Sequence, residues 1–171
     1  MTDAGHLRWR DGAETRLESI LRTTTDLSTA SDDLAGQIDD WPTRYHLDRR
    51  RTNLLRPLHL GPGVRVLDAG AGTGVMSRYA AEAGATVVAV EGDPQRAALI
   101  ALRCEGTDVE VRCGTTNKID DPDGFDVVLA VGVLEYAAGR PGGAEVFLSR
   151  LTRLVRPGGV LTVAIENQLG L

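Results

Sequence analysis

The sequence predicts an α/β fold in which helices cover both faces of a mostly parallel sheet. Short apolar segments that suit buried strands, such as 64–67 and 86–90, alternate with segments whose apolar residues recur at helical spacing. The first of these strands runs into the glycine-rich loop 68–74, and a helix is predicted directly after it. A strand, a glycine-rich turn and a helix in this order predict a Rossmann-like, doubly wound sheet that binds a nucleotide.

Residues 1–60 precede the first strand and are predicted to form a helical extension or lid. The Asp-Gly-Ala-Glu run at 11–14 resembles a capping box, and apolar residues at helical spacing follow it. A second short helix is predicted around Leu34. Trp41-Pro42 is expected to interrupt the helical pattern, because the residue before a proline avoids the helical region. A third helix is predicted at 44–58.

Residues 61–171 are predicted to form the nucleotide-binding core. Asp93 and Pro94 are expected to begin the second core helix, as its N-cap and first-turn proline. The buried stripe of that helix is predicted to comprise Ala97, Ile100, Ala101 and Cys104. The later elements are predicted as a third strand at 109–112, a last helix at 143–155 and a fifth strand that ends near 165.

The glycine-rich loop and the acid that follows the second strand indicate which ligand is bound. Gly70, Gly72 and Gly74 let the backbone approach a ligand where a Cβ would collide. Glu91 ends the second strand, where a carboxylate accepts hydrogen bonds from both hydroxyls of a ribose. The glycine spacing differs from the Gly-x-Gly-x-x-Gly of dinucleotide folds, and Asp68 beside the loop would repel a pyrophosphate. The pattern favours a nucleoside with a cationic amino-acid end.

At these residues the chain resembles the class I S-adenosylmethionine-dependent methyltransferases. Segment 66–74 matches their first motif, and Glu91 matches the acid that holds the cofactor ribose. Segment 124–136 is similar to their fourth strand with its following loop, and 154–164 is similar to the turn into their fifth strand. The resemblance implies S-adenosylmethionine as the cofactor. The residues expected to bind it are Asp68, Ala69, Gly70, Gly72, Gly74, Glu91, Gly92, Thr115 and Val131.

Two features depart from the family pattern. The family often places an acidic residue beyond the third strand, near the adenine amino group, whereas this chain has Cys-Gly-Thr-Thr at 113–116. Thr115 or Thr116 is the expected substitute. The two strands that usually complete the family's sheet are absent after the fifth strand. Either the chain is a fragment, or the extension and a partner subunit cover the sheet edge, which is otherwise expected to promote self-association or pairing.

The acceptor side of the site is less well defined by the sequence. Glu135, Tyr136 and Glu166 are expected at the carboxyl ends of the fourth and fifth strands, where sheets of this type bind ligands. Glu135 is the first candidate for a catalytic base or an acceptor-binding group. A carboxylate that contacts the cofactor or caps the next helix is an equal alternative.

The third predicted helix concentrates positive charge and follows an aromatic cluster. The basic residues are Arg44, His46, Arg49, Arg50, Arg51 and Arg56. They form either a patch for an anionic acceptor or a solvated face balanced by nearby aspartates. Trp41, Tyr45 and His46 either cover the cofactor as a lid or pack against the core.

Composition limits the possible partners and compartment. With 171 residues, 42% hydrophobic and 25% charged, and a net charge of −5, the chain is expected to be one cytoplasmic domain that does not attract nucleic acid or anionic membranes. No segment suits a membrane span or a signal peptide, and no cluster has metal-ligand spacing, so no metal is expected. Cys104 and Cys113 are expected to be buried, reduced thiols.

Three functions remain open at this point. The first is a methyltransferase that acts on a small molecule or a glycan, and the second is a cofactor-binding module without catalysis. The third, a nicotinamide-dependent oxidoreductase, is disfavoured by the glycine spacing and by the lack of a Tyr-x-x-x-Lys pair, since Lys118 is the only lysine.

Overall fold

The structure is a computed structural model that describes residues 11–138 and 142–165. Within these ranges the helices are α1 (Glu14–Thr23), α2 (Asp32–Ala35), α3 (Trp41–Leu47), α4 (Val75–Glu82), α5 (Pro94–Arg103), α6 (Leu134–Ala138) and α7 (Gly143–Leu154). The strands are β1 (Arg65–Ala69), β2 (Thr86–Glu91), β3 (Val109–Cys113), β4 (Phe125–Val131) and β5 (Val155–Ala164). Two 3₁₀ helices cover Arg49–Leu55 and Thr116–Lys118. None of the helices in these ranges combines the length and the apolar character that crossing a bilayer requires.

The five strands form one parallel sheet in the order β3-β2-β1-β4-β5. The chain moves outward from β1 through β2 to β3, then returns to the other side of β1 as β4. Ligands of open α/β sheets bind at such a reversal, beyond the carboxyl ends of the strands. The predicted α/β, doubly wound class is confirmed.

Helices bury both faces of the sheet, which explains why its strands are almost continuously apolar. On one face, Leu151 and Leu154 of α7 pack against Phe125 and Val128 of β4. On the other face, the apolar side of α4 packs against β1 and β2. The start of α5 is as predicted: the Asp93 carboxylate accepts the backbone N–H groups of Gln95 and Arg96, with Pro94 in the first turn.

The N-terminal segment, residues 11–60, packs against the core through α1. Leu17 and Leu21 of α1 join a buried cluster with Leu99 of α5. Beside this cluster, Arg96 Nε donates to Glu14 Oε1 at 3.0 Å, and both side chains are at most 6% exposed. Because α1 covers α5, Leu99 is buried, whereas Ala101, predicted to be buried, is exposed.

The predicted helix at 44–58 is wrong in its bounds. Trp41-Pro42 does not interrupt a helix but begins α3. The Asp40 carboxylate caps the helix by accepting the Thr43 N–H at 2.8 Å. Pro42 is tolerated because backbone N–H groups in the first turn have no partner within the helix, so the N–H that proline lacks is not needed. Asp48 then ends α3 in an extended conformation, with φ −67° and ψ 112°. Its carboxylate accepts the Arg50 N–H at 2.9 Å and starts the 3₁₀ helix.

The predicted capping box at 11–14 is also wrong. The N-cap of α1 is Ala13, and no side chain caps the helix. Glu14, the expected partner in the box, instead binds Arg96, and the Asp11 carboxylate accepts hydrogen bonds from the Ala13 N–H and from His46. Tertiary partners have therefore replaced the local hydrogen bonds that the sequence pattern predicted.

Candidate active site

A cavity of about 550 Å³ opens at the carboxyl ends of β1, β2 and β4. Its volume lies within the range of about 300–1,000 Å³ that is typical of small-molecule and cofactor sites. Among the nine residues expected to bind the cofactor, only Gly74 does not line this cavity. The eight that do are Asp68, Ala69, Gly70, Gly72, Glu91, Gly92, Thr115 and Val131.

The three glycines of the loop have different surroundings, although all have positive φ. A Cβ on Gly70 would lie 2.3 Å from Val133, and a Cβ on Gly74 would lie 3.1 Å from Ile100 of α5. These two glycines therefore permit close packing within the protein. Gly72 has φ 60°, and a Cβ there would meet nothing within 4 Å. Because Gly72 lines the cavity, its open side is where a ligand would approach.

Glu91 holds the glycine-rich loop from the end of β2. Its Oε2 accepts the Gly72 N–H at 2.9 Å, and its Oε1 accepts the Asp93 N–H at 2.9 Å. Burial raises the pKa of the Glu91 carboxyl, and these two N–H groups partly offset that effect. Each carboxylate oxygen has a further lone pair, so Glu91 retains acceptor positions for a ligand while it shapes the loop.

Asp68 lies deeper, at the end of β1, and is only 2% exposed. One oxygen accepts the Ser77 hydroxyl of α4 at 2.6 Å. Burial, together with the charge of Glu91, raises the pKa of Asp68 to about 6, although the Ser77 hydrogen bond acts in the opposite direction. An ionised Asp68 is therefore costly in the absence of a cation, and a cationic ligand in the cavity would stabilise it.

We expect Asp68→Asn to change how stability depends on pH. The folded carboxyl has a pKa of about 6, whereas an aspartate in the unfolded chain has its ordinary pKa of 3.8, so the folded state binds more protons between these pH values. Asp68 therefore makes the free energy of unfolding fall as pH rises from about 4 to 6, by on the order of 3 kcal/mol. Asparagine retains an acceptor for Ser77 and removes the titration.

Urea denaturation of the wild type and Asp68→Asn between pH 4 and 7.5 measures this effect. The variant should gain stability relative to the wild type as pH rises, and the gain should level off above pH 6.5. Burial lowers the pKa of His46 to about 4, which makes stability rise with pH over nearly the same window, but His46 is present in both proteins and cancels in the difference. A pH-independent difference would contradict the buried, ionisable Asp68.

The N-terminal segment forms one wall of the cavity. Tyr45, His46 and Arg51 line it, whereas Trp41 stacks on Tyr45 with ring centroids 5.3 Å apart and remains 57% exposed. The Arg51 guanidinium lies 3.9 Å from the Tyr45 ring centroid and donates to the Tyr45 carbonyl. Tyr45 Oη lies 3.1 Å from where a Cβ on Gly132 would be, so the ring reaches the end of β4. A lid that opens and closes stays a prediction.

The basic residues around the 3₁₀ helix do not act as one patch. Arg49 and Arg50 are exposed and form ion pairs with Asp32 and Asp48, as a solvated face would. Of the arginines in this group, only Arg51 lines the cavity.

Another part of the cavity lining comes from α6 and α7. Tyr136, Phe147 and Arg150 line the cavity, and Arg150 donates to Asn117 after β3. Glu135 is half-buried in α6 and is not among the lining residues, so its role as a base stays a prediction. Glu166 lies outside the described residues.

The segment after β3 provides the adenine candidates. Thr115 and Thr116 both line the cavity, and Thr116 is 7% exposed. Cys113 is exposed, not buried as predicted, because it ends an edge strand; Cys104 is buried, and both thiols are free.

The lining residues that the sequence analysis missed as site residues include Thr73, Arg96 and Arg150. Thr73 occupies an x position of the glycine pattern, where the pattern does not restrict the residue type. Arg96 and Arg150 lie on predicted helices, where an arginine is usually solvated. The helical spacing of Arg150 and Phe147 was the one available signal that both share a face.

A family model described as a methyltransferase domain matches residues 67–163, which is more than half of the chain. The chain belongs to the class I S-adenosylmethionine-dependent methyltransferases. The cofactor of this family is S-adenosylmethionine, as the sequence predicted. The matched region includes the glycine-rich loop, Glu91 and all of the cavity wall contributed by α6 and α7.

Relatives with assigned functions are similar over the same region. The ubiquinone biosynthesis O-methyltransferase of Bradyrhizobium diazoefficiens is 31% identical over 116 residues, which cover 67% of this chain and 44% of that protein. The enzyme of the same name from Rhizobium leguminosarum is 34% identical over 116 residues, 66% of this chain and 43% of that protein. The chain thus spans less than half the length of these relatives.

Solved structures show the same fold. An S-adenosylmethionine-dependent methyltransferase from Geobacter sulfurreducens, in complex with S-adenosyl-L-homocysteine, aligns with a TM-score of 0.53 at 23% identity, over 86% of this chain and 54% of that one. Phosphoethanolamine N-methyltransferase 1 from Haemonchus contortus aligns with a TM-score of 0.60 at 18% identity, over 90% of this chain and 31% of that one.

Proposed function

We propose that the cavity binds S-adenosylmethionine and that the protein methylates a hydroxyl oxygen of a small-molecule or glycan acceptor. The observation that carries the proposal is the contact between Glu91 and the glycine-rich loop. Glu91 Oε2 holds the Gly72 N–H at 2.9 Å, while the Cβ side of Gly72 remains open to the cavity. The O-methyltransferase names of the relatives support oxygen as the methylated atom.

The residues present fit each part of the cofactor. Glu91 would accept hydrogen bonds from the ribose hydroxyls, and Thr115 lies where the family places its adenine-binding group. At the amino-acid end, Asp68 would balance the positive charge of the ammonium and sulfonium groups, and Arg51 would pair with the carboxylate. The site thus supplies one cation, Arg51, and two carboxylates, Asp68 and Glu91. This balance suits S-adenosylmethionine, which carries one carboxylate and two positive groups, the ammonium and the sulfonium.

The chain's own contribution to catalysis is alignment and the exclusion of water. S-adenosylmethionine supplies a methyl group that its sulfonium already activates for displacement. Tyr45 and Tyr136 bring aromatic surface to the cavity from two different elements, and Phe147 extends the apolar lining. Holding an acceptor between such surfaces fixes its orientation and removes water, which are sources of large rate effects. A hydroxyl acceptor also needs a base, and Glu135 serves only if its side chain turns toward the cavity.

A binding module without catalysis is the second candidate. Thr115 in place of the family's acid is the observation that favours it, because weaker adenine recognition would lower cofactor occupancy. Methyl transfer from labelled S-adenosylmethionine to phenolic, catecholic and sugar acceptors separates the two functions. Transfer to any of these acceptors eliminates the module, whereas cofactor binding with no transfer to any of them favours it over the proposed activity on these acceptor classes.

Cofactor binding itself is tested by calorimetric titration. We expect S-adenosylmethionine and S-adenosylhomocysteine to bind, and NAD⁺ not to bind, because Asp68 places a carboxylate beside the loop where a pyrophosphate would lie. Binding of NAD⁺ without binding of S-adenosylhomocysteine would contradict the proposal.

Glu91→Ala sharpens the same experiment. The affinity of this variant for S-adenosylhomocysteine should fall about 10- to 100-fold, because the charge-assisted hydrogen bonds to the ribose hydroxyls are lost. Glu91 also positions the loop, so a ribose analogue is needed as a comparison. The wild type should prefer S-adenosylhomocysteine over its 2′-deoxy analogue, and Glu91→Ala should bind both equally. A preference that survives in the variant would show that Glu91 acts only on the loop.

A further inference from the structure

Three buried side chains connect the N-terminal segment to the glycine-rich loop. Asp11 Oδ2 lies 2.8 Å from His46 Nε2, and His46 Nδ1 lies 3.1 Å from Thr73 Oγ1. The exposed fractions of the three side chains are at most 7%. Thr73 lies between Gly72 and Gly74, and both Thr73 and His46 line the cavity. The hydrogen-bonded chain therefore ends at the surface that a ligand would contact.

The direction of each hydrogen bond follows from the protonation states. Burial opposes ionisation of Asp11, but the Ala13 N–H and His46 outweigh it, so the pKa of Asp11 is lowered and the carboxylate only accepts. His46 Nε2 must then carry the proton. Burial lowers the pKa of His46 to about 4, so the ring is neutral near pH 7 and Nδ1 accepts. Thr73 consequently donates its hydroxyl proton to His46.

This arrangement makes the Thr73 oxygen a hydrogen-bond acceptor only. Its single proton is committed to His46 Nδ1, and its lone pairs remain. A ligand group that contacts Thr73 Oγ1 must therefore donate. The backbone of His46 is held as well, because Arg103 Nη1 donates to the His46 carbonyl at 3.0 Å. Asp68 and Glu91 line the same cavity and favour a donor that is positively charged.

We infer that Thr73 Oγ1 accepts a hydrogen bond from the α-ammonium of the cofactor, and that His46 and Asp11 are positioning residues that keep Thr73 an acceptor. This inference rests on the proposed cofactor. It gives the N-terminal segment a role in ligand recognition. The Asp11 carboxylate, acting through His46, fixes the direction in which the Thr73 hydroxyl of the glycine-rich loop donates its proton.

The test compares Thr73→Val with Thr73→Ser by calorimetric titration. Valine has the shape of threonine without the hydroxyl, and serine retains the hydroxyl. The ligands are S-adenosylhomocysteine and 5′-methylthioadenosine, which share the adenosine and thioether but differ in the amino-acid group. We expect Thr73→Val to weaken S-adenosylhomocysteine about 10- to 100-fold and 5′-methylthioadenosine less than about threefold. Thr73→Ser should bind both ligands nearly as the wild type does.

The other outcomes are distinguishable. If Thr73→Val weakens both ligands equally, the hydroxyl only shapes the loop, and the inference fails. If it weakens neither ligand, Thr73 has no contact with the cofactor, and the inference fails again. If the wild type binds neither ligand, the proposed function fails first.

A second variant tests the positioning residues. His46→Phe retains a ring and removes both nitrogens, so the Thr73 hydroxyl is no longer held as an acceptor. It should show a selective loss of S-adenosylhomocysteine affinity that is no larger than that of Thr73→Val. The double variant with Thr73→Val should lose no more than Thr73→Val alone, because both act on one hydrogen bond. Thermal unfolding of each variant shows whether it is folded, and if His46→Phe is not, His46→Leu replaces it, since leucine also removes both ring nitrogens. Additive losses in the double variant would overturn the role of His46 as a positioning residue.

Discussion

Glu14→Ala should lower the free energy of unfolding by about 3–5 kcal/mol, because it leaves a buried guanidinium without its carboxylate. Arg96 Nε donates to Glu14 Oε1 at 3.0 Å, and the two side chains are 6% and 4% exposed. Arg96 is also 3.7 Å from Asp11, a longer contact that does not replace the lost one. Urea denaturation at pH 7 measures the change.

Arg16→Ala provides the control in the same helix. Arg16 of α1 contacts Asp39 and Asp40, but these side chains are 43% to 64% exposed. Ion pairs of this kind contribute little to stability because water already solvates the separated charges. The variant should therefore unfold close to the wild-type urea midpoint. If Glu14→Ala loses as little stability as Arg16→Ala, the N-terminal segment is only loosely attached to the core.

The same ion pair connects stability to the site. Arg96 lines the cavity and follows Asp93, the N-cap of α5, whose own N–H is held by Glu91. A loss of the Glu14 contact therefore acts on the residues that flank Glu91. We attribute to the N-terminal segment a structural role beyond covering the cavity.

The core was predictable because its signals are local. Glycines at 70, 72 and 74, an acid at Asp68 and another at Glu91 specify a strand, a tight loop and a second strand without reference to distant residues. Buried parallel strands are also recognisable, since both of their faces must be apolar. The sheet followed from these patterns, and eight of the nine residues expected to bind the cofactor line the cavity.

The N-terminal segment was less predictable because its contacts are distant in sequence. His46 and Thr73 are 27 residues apart, and Glu14 and Arg96 are 82 apart. From sequence alone, a histidine or arginine on a helix is more often solvated, and nothing local marks the few that are buried. The helix at 44–58 was extended too far for a related reason: Asp48 breaks it through a side-chain hydrogen bond that competes with the helix.

Gly72→Val should weaken S-adenosylhomocysteine binding by at least about 100-fold, equivalent to about 2.7 kcal/mol, while leaving the fold intact. The added side chain would project into the open side of the loop, where no protein atom lies within 4 Å and where the ligand would lie. Its backbone has φ 60°, so valine also introduces strain, and the loss of binding has to be separated from that strain.

Gly106→Val makes that separation. Gly106 has φ 75°, a Cβ there would also meet nothing within 4 Å, and it does not line the cavity. Both variants should therefore lose similar stability in urea denaturation, since both place a β-branched residue in the left-handed region. Only Gly72→Val should lose affinity in the calorimetric titration. Normal binding by Gly72→Val would mean that the loop is a structural turn and that the cofactor does not approach it, whereas weakened binding by both variants would mean that backbone strain alone impairs the site.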